Sequence, residues 1–292
     1  EEGCVALEIA PDELLFSGEA GRSGAPPELP ASPPVAADLP EPIGEGLLLH
    51  ISGRSLDLLL GGLLSRQEVR EAVQSVYGLG EAELALVQGP SFDLRLRPQL
   101  AGPFQAGLEL VLPVEGDPAP WITILDGLRQ RLQARGLVDD PLVENAGGDP
   151  GALVSTTWRD EQGREVGGWR WLTAPGQPAR LLLFLGPEPE AMAPAQDAAG
   201  PLPLLSLQAR PQALAALNLL PGQLPLPLLQ ARQLLLIADD GAAAGNEGTV
   251  PGGPGISRLL GRLQLGELLP LQPPVPPPSG QLPPQESPDP AP

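Results

Sequence analysis

The chain has 292 residues, of which 42% are apolar and only 3% aromatic, and its formal net charge is −19. All of its 17 basic residues are arginine. A negative field of this strength disfavours binding to nucleic-acid phosphates or to an anionic membrane surface. The single cysteine, Cys4, excludes an intrachain disulfide and a cysteine-rich metal site. No apolar run reaches the ~18 residues that a membrane-spanning helix needs.

Both ends of the chain have the composition of unstructured segments. Residues 18–45 are rich in Pro, Gly, Ala and acidic residues, which bury too little apolar surface to offset the entropy lost on ordering. We therefore predict that residues 1–45 form one short strand, Cys4–Ile9, and then a linker. The proline-rich residues 269–292 are predicted to be a disordered tail. The folded domain is expected to span residues 46–268.

Apolar periodicity predicts strands and helices in the first part of this domain. Leu47–Ser52 is a continuous apolar run, which is typical of a buried strand. Ser65 precedes Glu68 by three residues, the spacing of a capping box, and predicts the start of a helix that Gly78 ends. The elements predicted in this part are strands at Leu47–Ser52, Leu84–Gln88, Phe92–Arg97 and Gly107–Val114, and helices at Leu56–Leu64 and between Ser65 and Gly78.

The clearest amphipathic segment of the chain begins at Pro120 and ends at Gly136. Its apolar residues recur at helical spacing from Trp121 to Leu132, so one side of this helix is expected to face a core. Three strands that contain the other three tryptophans are predicted to follow. These strands are Leu153–Trp158, Glu165–Trp171 and Arg180–Leu185.

Two segments far apart in the chain have a similar pattern. Leu48–Leu64 and Leu204–Leu220 each read as a strand, an arginine and a leucine-rich helix. Two further strands are predicted after each, at Leu84–Gln88 and Phe92–Arg97 in the first case and at Gln233–Ala238 and Arg258–Leu265 in the second. This pattern predicts an internal two-fold repeat with halves near 46–114 and 202–268. Because leucine is so common here, chance similarity is the alternative explanation.

Few residues are suited to catalysis or to holding a cofactor. His50 is the only histidine and lies within an apolar strand, so we interpret it as a packed or edge residue rather than a base or metal ligand. Without lysine, a Walker motif and Schiff-base chemistry are excluded. We expect no cofactor and no metal. Paired carboxylates need not be adjacent in sequence. Their candidates are Glu109, which alternation places on the exposed face of its strand, and Asp126, beside the apolar stripe of its helix.

Trp158, Trp169 and Trp171 are the candidate contact residues for a ligand or a partner. They lie on adjacent predicted strands, and Trp169 and Trp171 share one face because they are two residues apart. If this face is open, it forms an aromatic platform. If it is covered, the three indoles form a core against the helix that carries Trp121. The second interpretation is favoured.

The order of elements resembles a known family. The helix Trp121–Arg135, the strand Val154–Trp158, the motif Gly168-Trp-Arg-Trp171 and the apolar strand Leu181–Gly186 are similar to an uncharacterised domain-of-unknown-function family of cyanobacterial exported or membrane-anchored proteins. The later Leu204–Ala238 region is similar to the strand, helix and proline-containing loop of that family. The resemblance implies an extracytoplasmic location, periplasmic or membrane-associated. It supplies no catalytic residues. Members begin with a hydrophobic anchor that these residues lack, so a cytoplasmic location is the alternative.

Together these patterns predict an α+β fold of mostly antiparallel strands, with a few helices on one face. The function that they favour is a non-enzymatic, extracytoplasmic interaction or structural module that contacts another protein. One alternative is a carrier, which predicts an apolar cavity lined by Leu and Trp between sheet and helices. A less favoured alternative is a carboxylate-based hydrolase, which predicts converging acids with a raised pKa. The sequence leaves the oligomeric state open.

Overall fold

The structure is a computed structural model that describes residues 2–21, 39–100, 102–143, 153–174, 176–189, 202–240 and 256–266. Within these ranges the chain forms one twelve-stranded sheet and six helices. Every strand pairing in the sheet is antiparallel. The predicted tail at 269–292 and residues 22–38 of the predicted linker lie outside the described ranges.

Strands outweigh helices, so the fold is dominated by its sheet. The strands are β1 (Glu2–Ile9), β2 (Glu13–Gly21), β3 (Leu49–Gly53), β4 (Phe92–Pro98), β5 (Ala106–Pro113), β6 (Val138–Val143), β7 (Val154–Arg159), β8 (Glu165–Leu172), β9 (Arg180–Leu185), β10 (Leu205–Ala209), β11 (Ala231–Asp240) and β12 (Ile256–Leu265). The helices are α1 (Asp57–Leu64), α2 (Gln67–Tyr77), α3 (Glu81–Gln88), α4 (Ala119–Gln133), α5 (Pro211–Ala216) and α6 (Leu226–Gln230).

The strand order is β1-β2-β12-β11-β10-β3-β4-β5-β9-β8-β7-β6. β3 and β4 form the centre, where Ile51 lies opposite Leu94. β2 pairs with β12, so the N-terminal hairpin belongs to the same sheet as the rest of the chain. One edge strand, β6, contains Pro141, whose nitrogen cannot donate a hydrogen bond and which is tolerated at a sheet edge. The other edge strand is β1.

Successive side chains of a strand lie on alternate faces of the sheet. One of the two faces is apolar. The pairing register carries this face from strand to strand, so that residues in line across the sheet share it. Apolar residues of α1, α3 and α4 pack against it in the main core, and α5 packs against it around Ala209. One such line consists of Leu207, Ile51, Leu94, Leu110, Leu183 and Trp169.

The sequence predicted most of these elements. Every strand that was predicted is present within two residues of its expected bounds, apart from Leu84–Gln88, and so is the amphipathic helix, which the structure places at α4. The mostly antiparallel arrangement is confirmed. The predicted linker begins too early, because its first residues, Gly18–Gly21, belong to β2.

Two local predictions in the first part of the chain were wrong. Leu84–Gln88 is not a strand but the second half of α3, which begins after Gly80 where the Glu83 carboxylate accepts the Gly80 N–H at 2.9 Å. A short apolar run does not distinguish strand from helix, and the glutamates near the start favour a helix. Ser65 does not cap α2 either, since its hydroxyl donates to the Gly62 carbonyl of α1 instead.

Candidate functional site

An apolar cleft of about 410 Å³ lies between the apolar face of the sheet and helices α2 and α4. Its volume lies within the ~300–1,000 Å³ that is usual for small-molecule sites. None of the described residues that line it is charged. From the sheet they are Leu108, Leu110, Trp158, Val166, Gly167, Gly168, Trp169, Leu183, Phe184 and Leu185, and from the helices and their ends Tyr77, Leu79, Leu128, Leu132 and Leu137.

Alternate residues of β8 set the shape of the cleft floor. Trp171, Trp169 and Gly167 share one face of the strand. The side chains on this face therefore become smaller along the strand, from two indoles to a hydrogen. Trp171 is 1% exposed and belongs to the sealed core. Gly167 has a φ of +154°, and a Cβ there would lie 2.6 Å from the Phe184 carbonyl oxygen. No larger residue can fill the floor at this position without disturbing the pairing of β8 with β9.

Helix α4 forms part of the cleft roof with its C-terminal half. Leu128 and Leu132 face the cleft, while Trp121 and Leu125, in the first half of the same helix, are buried in the core. The helix forms because apolar residues recur at a spacing of three and four, and Pro120 is tolerated in its first turn. One apolar stripe therefore serves both the core and the cleft.

Helix α2 borders the cleft only through its last residue, Tyr77. It has no fully buried residue, and it ends at Gly78, whose φ of 76° is the left-handed conformation of a helix C-cap. Tyr77 lines the cleft and is 42% exposed, so it lies at the mouth. A helix with so little buried surface is held weakly and is the part of the roof that can move most easily.

The cleft half of α4 is attached to the edge strand β6 through Asp139. The Asp139 carboxylate accepts a hydrogen bond from Arg129 Nε at 2.7 Å and another from Gln133 Nε2 at 2.8 Å. Burial raises the pKa of Asp139, but the bonds from Gln133 and Arg129 outweigh it, and the pKa lies below its ordinary value. Asp139 also lies opposite Trp158 on β7, so this bond network borders the cleft.

All three candidate tryptophans are buried in the main core, with Trp158 3% and Trp169 4% exposed, and two of them also border the cleft. Trp158 and Trp169 line the cleft and contact each other with ring centroids 5.8 Å apart and ring planes tilted by 50°. Trp169 Nε1 donates to the Val154 carbonyl at 3.0 Å, which fixes the orientation of its ring. Trp171 does not line the cleft and is fully enclosed with Trp121 in the main core. An open platform of three indoles is therefore not present, because the sheet face that carries them lies under helices.

The opposite face of the sheet carries a cluster of charged residues near its centre. His50 is in the central strand β3 rather than at an edge, with its Nε2 3.2 Å from Asp93 Oδ1. Arg95 donates to both oxygens of Asp93, at 2.8 and 2.9 Å. Burial raises the pKa of Asp93, but His50 and Arg95 outweigh it and hold that pKa below its ordinary value.

The expectation that Glu109 is exposed was wrong. It is 5% exposed and accepts a hydrogen bond from Arg97 Nε at 2.7 Å. Arg97, on the neighbouring strand β4, shields Glu109 from solvent. Alternation along β5 alone cannot predict shielding by a residue of another strand. Asp126 lies on the exposed side of α4, and this helix packs on the opposite face of the sheet from Glu109. The two predicted acids do not form a pair.

No group suited to a metal ion, with three or more His, Cys, Asp or Glu side chains, is found in the described ranges. In the same ranges, none of the helices has the length and hydrophobicity to cross a membrane. A second depression, of about 610 Å³, lies beside α5 and is lined largely by polar chains such as Arg210, Arg232 and Gln233. Arg210 there already donates to the Glu45 carbonyl at 2.7 Å.

Sequence reasoning named the two cleft tryptophans and predicted a cavity lined by Leu and Trp only for the carrier alternative, without assigning it to particular strands or helices. The cleft floor depends on Gly167 lying in line with Trp158 and Leu185, on strands that were predicted without their order. One signal was available, because a glycine pair inside a strand indicates close approach of another backbone or an unfilled position. Gly167 and Gly168 directly precede Trp169.

Comparisons with known proteins give no match, whether to family models, to curated proteins or to solved structures.

Proposed function

We propose that this chain is a non-enzymatic protein that binds a small, apolar molecule in the cleft between α4 and the sheet. The observation that carries the proposal is an uncharged cleft of about 410 Å³, lined by leucines and by Trp158 and Trp169. Such a cleft binds a ligand by burying apolar surface, which contributes a free energy of about 25 cal/mol per Å². Its described lining offers no charged group. A carrier or sensor of apolar molecules uses this chemistry.

Binding can be tested with the neutral fluorophore N-phenyl-1-naphthylamine and its displacement by decanol. Leu132→Trp adds an indole to the cleft roof and should weaken probe binding, because the larger side chain extends into the space between α4 and the sheet. Leu63→Trp, the same change at an exposed position of α1, is the matched control and should bind as the unaltered chain does. Failure of the unaltered chain to bind the probe, or equal binding by both variants, would reject the proposal.

A second candidate function is protein interaction through the sheet edge at β1. Val5, Leu7 and Ile9 are exposed on one face of this edge strand, whereas the opposite edge, β6, is protected by Pro141 and Asp140. Unpaired backbone groups beside an apolar stripe suit an added strand from a partner protein whose apolar residues alternate. A Leu7→Lys variant that still captures the same partner would speak against this function.

The carboxylate-based hydrolase has less support. A general acid needs a raised pKa, whereas the three carboxyls with a resolved shift, Asp93, Asp139 and Asp160, all have a pKa below the ordinary value. In Asp160 the cause is the backbone N–H of Arg164, with its side chain adding to the effect.

Membership of the cyanobacterial family and an extracytoplasmic location remain proposals that rest on the resemblance alone. The internal repeat is a proposal with some topological support. β3 and β10 pair side by side, and the N–H of the arginine that follows each strand, Arg54 or Arg210, donates to the carbonyl before the other strand. Against it, the strand expected at Leu84–Gln88 is helical, so the two halves differ in the strand predicted after the leucine-rich helix.

A further inference from the structure

Arg131 lies at the mouth of the apolar cleft. It is exposed on α4, directly before Leu132, which lines the cleft. Its guanidinium packs against Gly78, where it takes the space that a Cβ at that position would need. Gly78 is the residue between Tyr77 and Leu79, and both of these line the cleft. A cationic group therefore borders an opening whose interior carries no charge.

The guanidinium of Arg131 has N–H donors that make no hydrogen bond with another described residue. Among the described residues its hydrogen bonding consists of one long contact, from Nη1 to the Ser75 carbonyl at 3.4 Å, and no carboxylate pairs with it. Arg129, two residues earlier on the same helix, is by contrast engaged by Asp139. An arginine carries five N–H donors in a planar fork that fits a carboxylate or phosphate. Arg131 as a whole is exposed, so an anion in solvent can reach it.

The hydroxyl of Tyr77 adds a polar group at the same opening. Tyr77 is the only tyrosine of the chain, is partly exposed and makes no hydrogen bond with another described residue. A phenol can donate to an anion while its ring covers an alkyl chain. The mouth thus offers a guanidinium and a hydroxyl, and the interior offers only apolar surface.

We infer that the ligand of the cleft is an anionic amphiphile, whose alkyl body lies in the cleft and whose carboxylate or phosphate head group pairs with Arg131. This inference rests on the proposed apolar binding function and adds the class of ligand. The net charge of −19 repels anions in general, so any preference for the anionic head must come from a direct contact such as this one. A partly exposed pair of this kind favours the anion by about fivefold.

The test compares decanol, decanoate and decyl phosphate at pH 8 by displacement of N-phenyl-1-naphthylamine from the full chain. Decanoate or decyl phosphate, or both, should bind about fivefold more tightly than decanol. The anion that binds more tightly shows whether the cleft prefers a carboxylate or a phosphate head group. Arg131→Gln should abolish the preference while leaving decanol binding unchanged. Arg135→Gln, an exposed arginine one turn further on, is the matched control and should keep it.

Several outcomes overturn the inference and leave the proposed function standing. These are equal binding of decanol and both anions by the unaltered chain, and an equal loss of preference in both arginine variants. If Arg131→Gln does not fold, Arg131→Lys serves instead, because it keeps the charge but lacks the planar fork, and it should retain only part of the preference. If none of the three compounds displaces the probe and the probe itself does not bind, the proposed function fails as well.

Discussion

The two halves of α4 present one apolar stripe to one sheet, yet they meet different surroundings. Trp121 and Leu125 are buried beside Trp171, whereas Leu128 and Leu132 remain half-buried and line the cleft. The difference comes from the floor beneath them, because β8 offers an indole at Trp171 and only a hydrogen at Gly167. An amphipathic helix therefore does not guarantee a filled core, since the opposite surface decides how much space is left.

The largest expected effect comes from removing the indole at the sealed end. Trp171→Ala should lower the free energy of unfolding by about 3–5 kcal/mol, because it empties a fully enclosed site. Leu132→Ala, at the cleft end, should cost less than about 2 kcal/mol, since part of that side chain already faces open space. Denaturant titration of both variants measures the two values. Equal costs would mean that the two ends are packed alike.

A smaller effect is expected from adding a side chain at Gly167 in the cleft floor. Gly167→Ala should lower the free energy of unfolding by about 1–3 kcal/mol, because the backbone conformation and the Phe184 carbonyl both oppose a side chain there. Thermal or denaturant unfolding checks this value. Gly163→Ala is the control for conformation alone, since Gly163 also has a positive φ but has nothing within 4 Å of its Cβ position. If Gly167→Ala is no more destabilised than Gly163→Ala, the close approach of Phe184 has no energetic role.

The smallest effect concerns the bond that ties the cleft half of α4 to β6. Asp139→Asn should lower the free energy of unfolding by about 1–2 kcal/mol at pH 7, because the charged bond from Arg129 is weakened. The folded pKa of Asp139 is depressed, so its contribution is present above the unfolded pKa and is lost as the pH falls through the folded value. The deficit of the variant should therefore shrink as the pH falls below the ordinary carboxyl pKa of about 4.

The unfolding free energies of the two proteins, measured side by side across that pH range, give this difference directly. Asp93 and Asp160, whose pKa values are also lowered, contribute equally in both proteins and cancel. A deficit that stays constant as the pH falls through the range in which carboxylates become protonated would mean that the Asp139 charge does not stabilise the fold.

Some elements were predictable because their signals are local. Phe92, Leu94 and Leu96 alternate with charged residues and form β4, and the stripe that begins at Trp121 forms α4. The errors arose where a local signal had two solutions. The run Leu84–Gln88 fits a strand or a helix, and the Ser65 hydroxyl donates to the Gly62 carbonyl instead of accepting from the backbone of α2. Strand β6 was missed because Pro141 and its neighbouring aspartates disfavour a strand everywhere except at an edge.

By itself the sequence determined most of the strands, the amphipathic helix and the acidic, lysine-free composition, because period and charge are properties of neighbouring residues. Only the tertiary structure decided which tryptophans line a cleft and which are sealed. That depends on strand order and register, which bring Gly167 into line with Trp158 and Leu185 beside α4. The cover that Arg97 provides for Glu109 was decided in the same way, since partners on different strands leave no pattern within either strand.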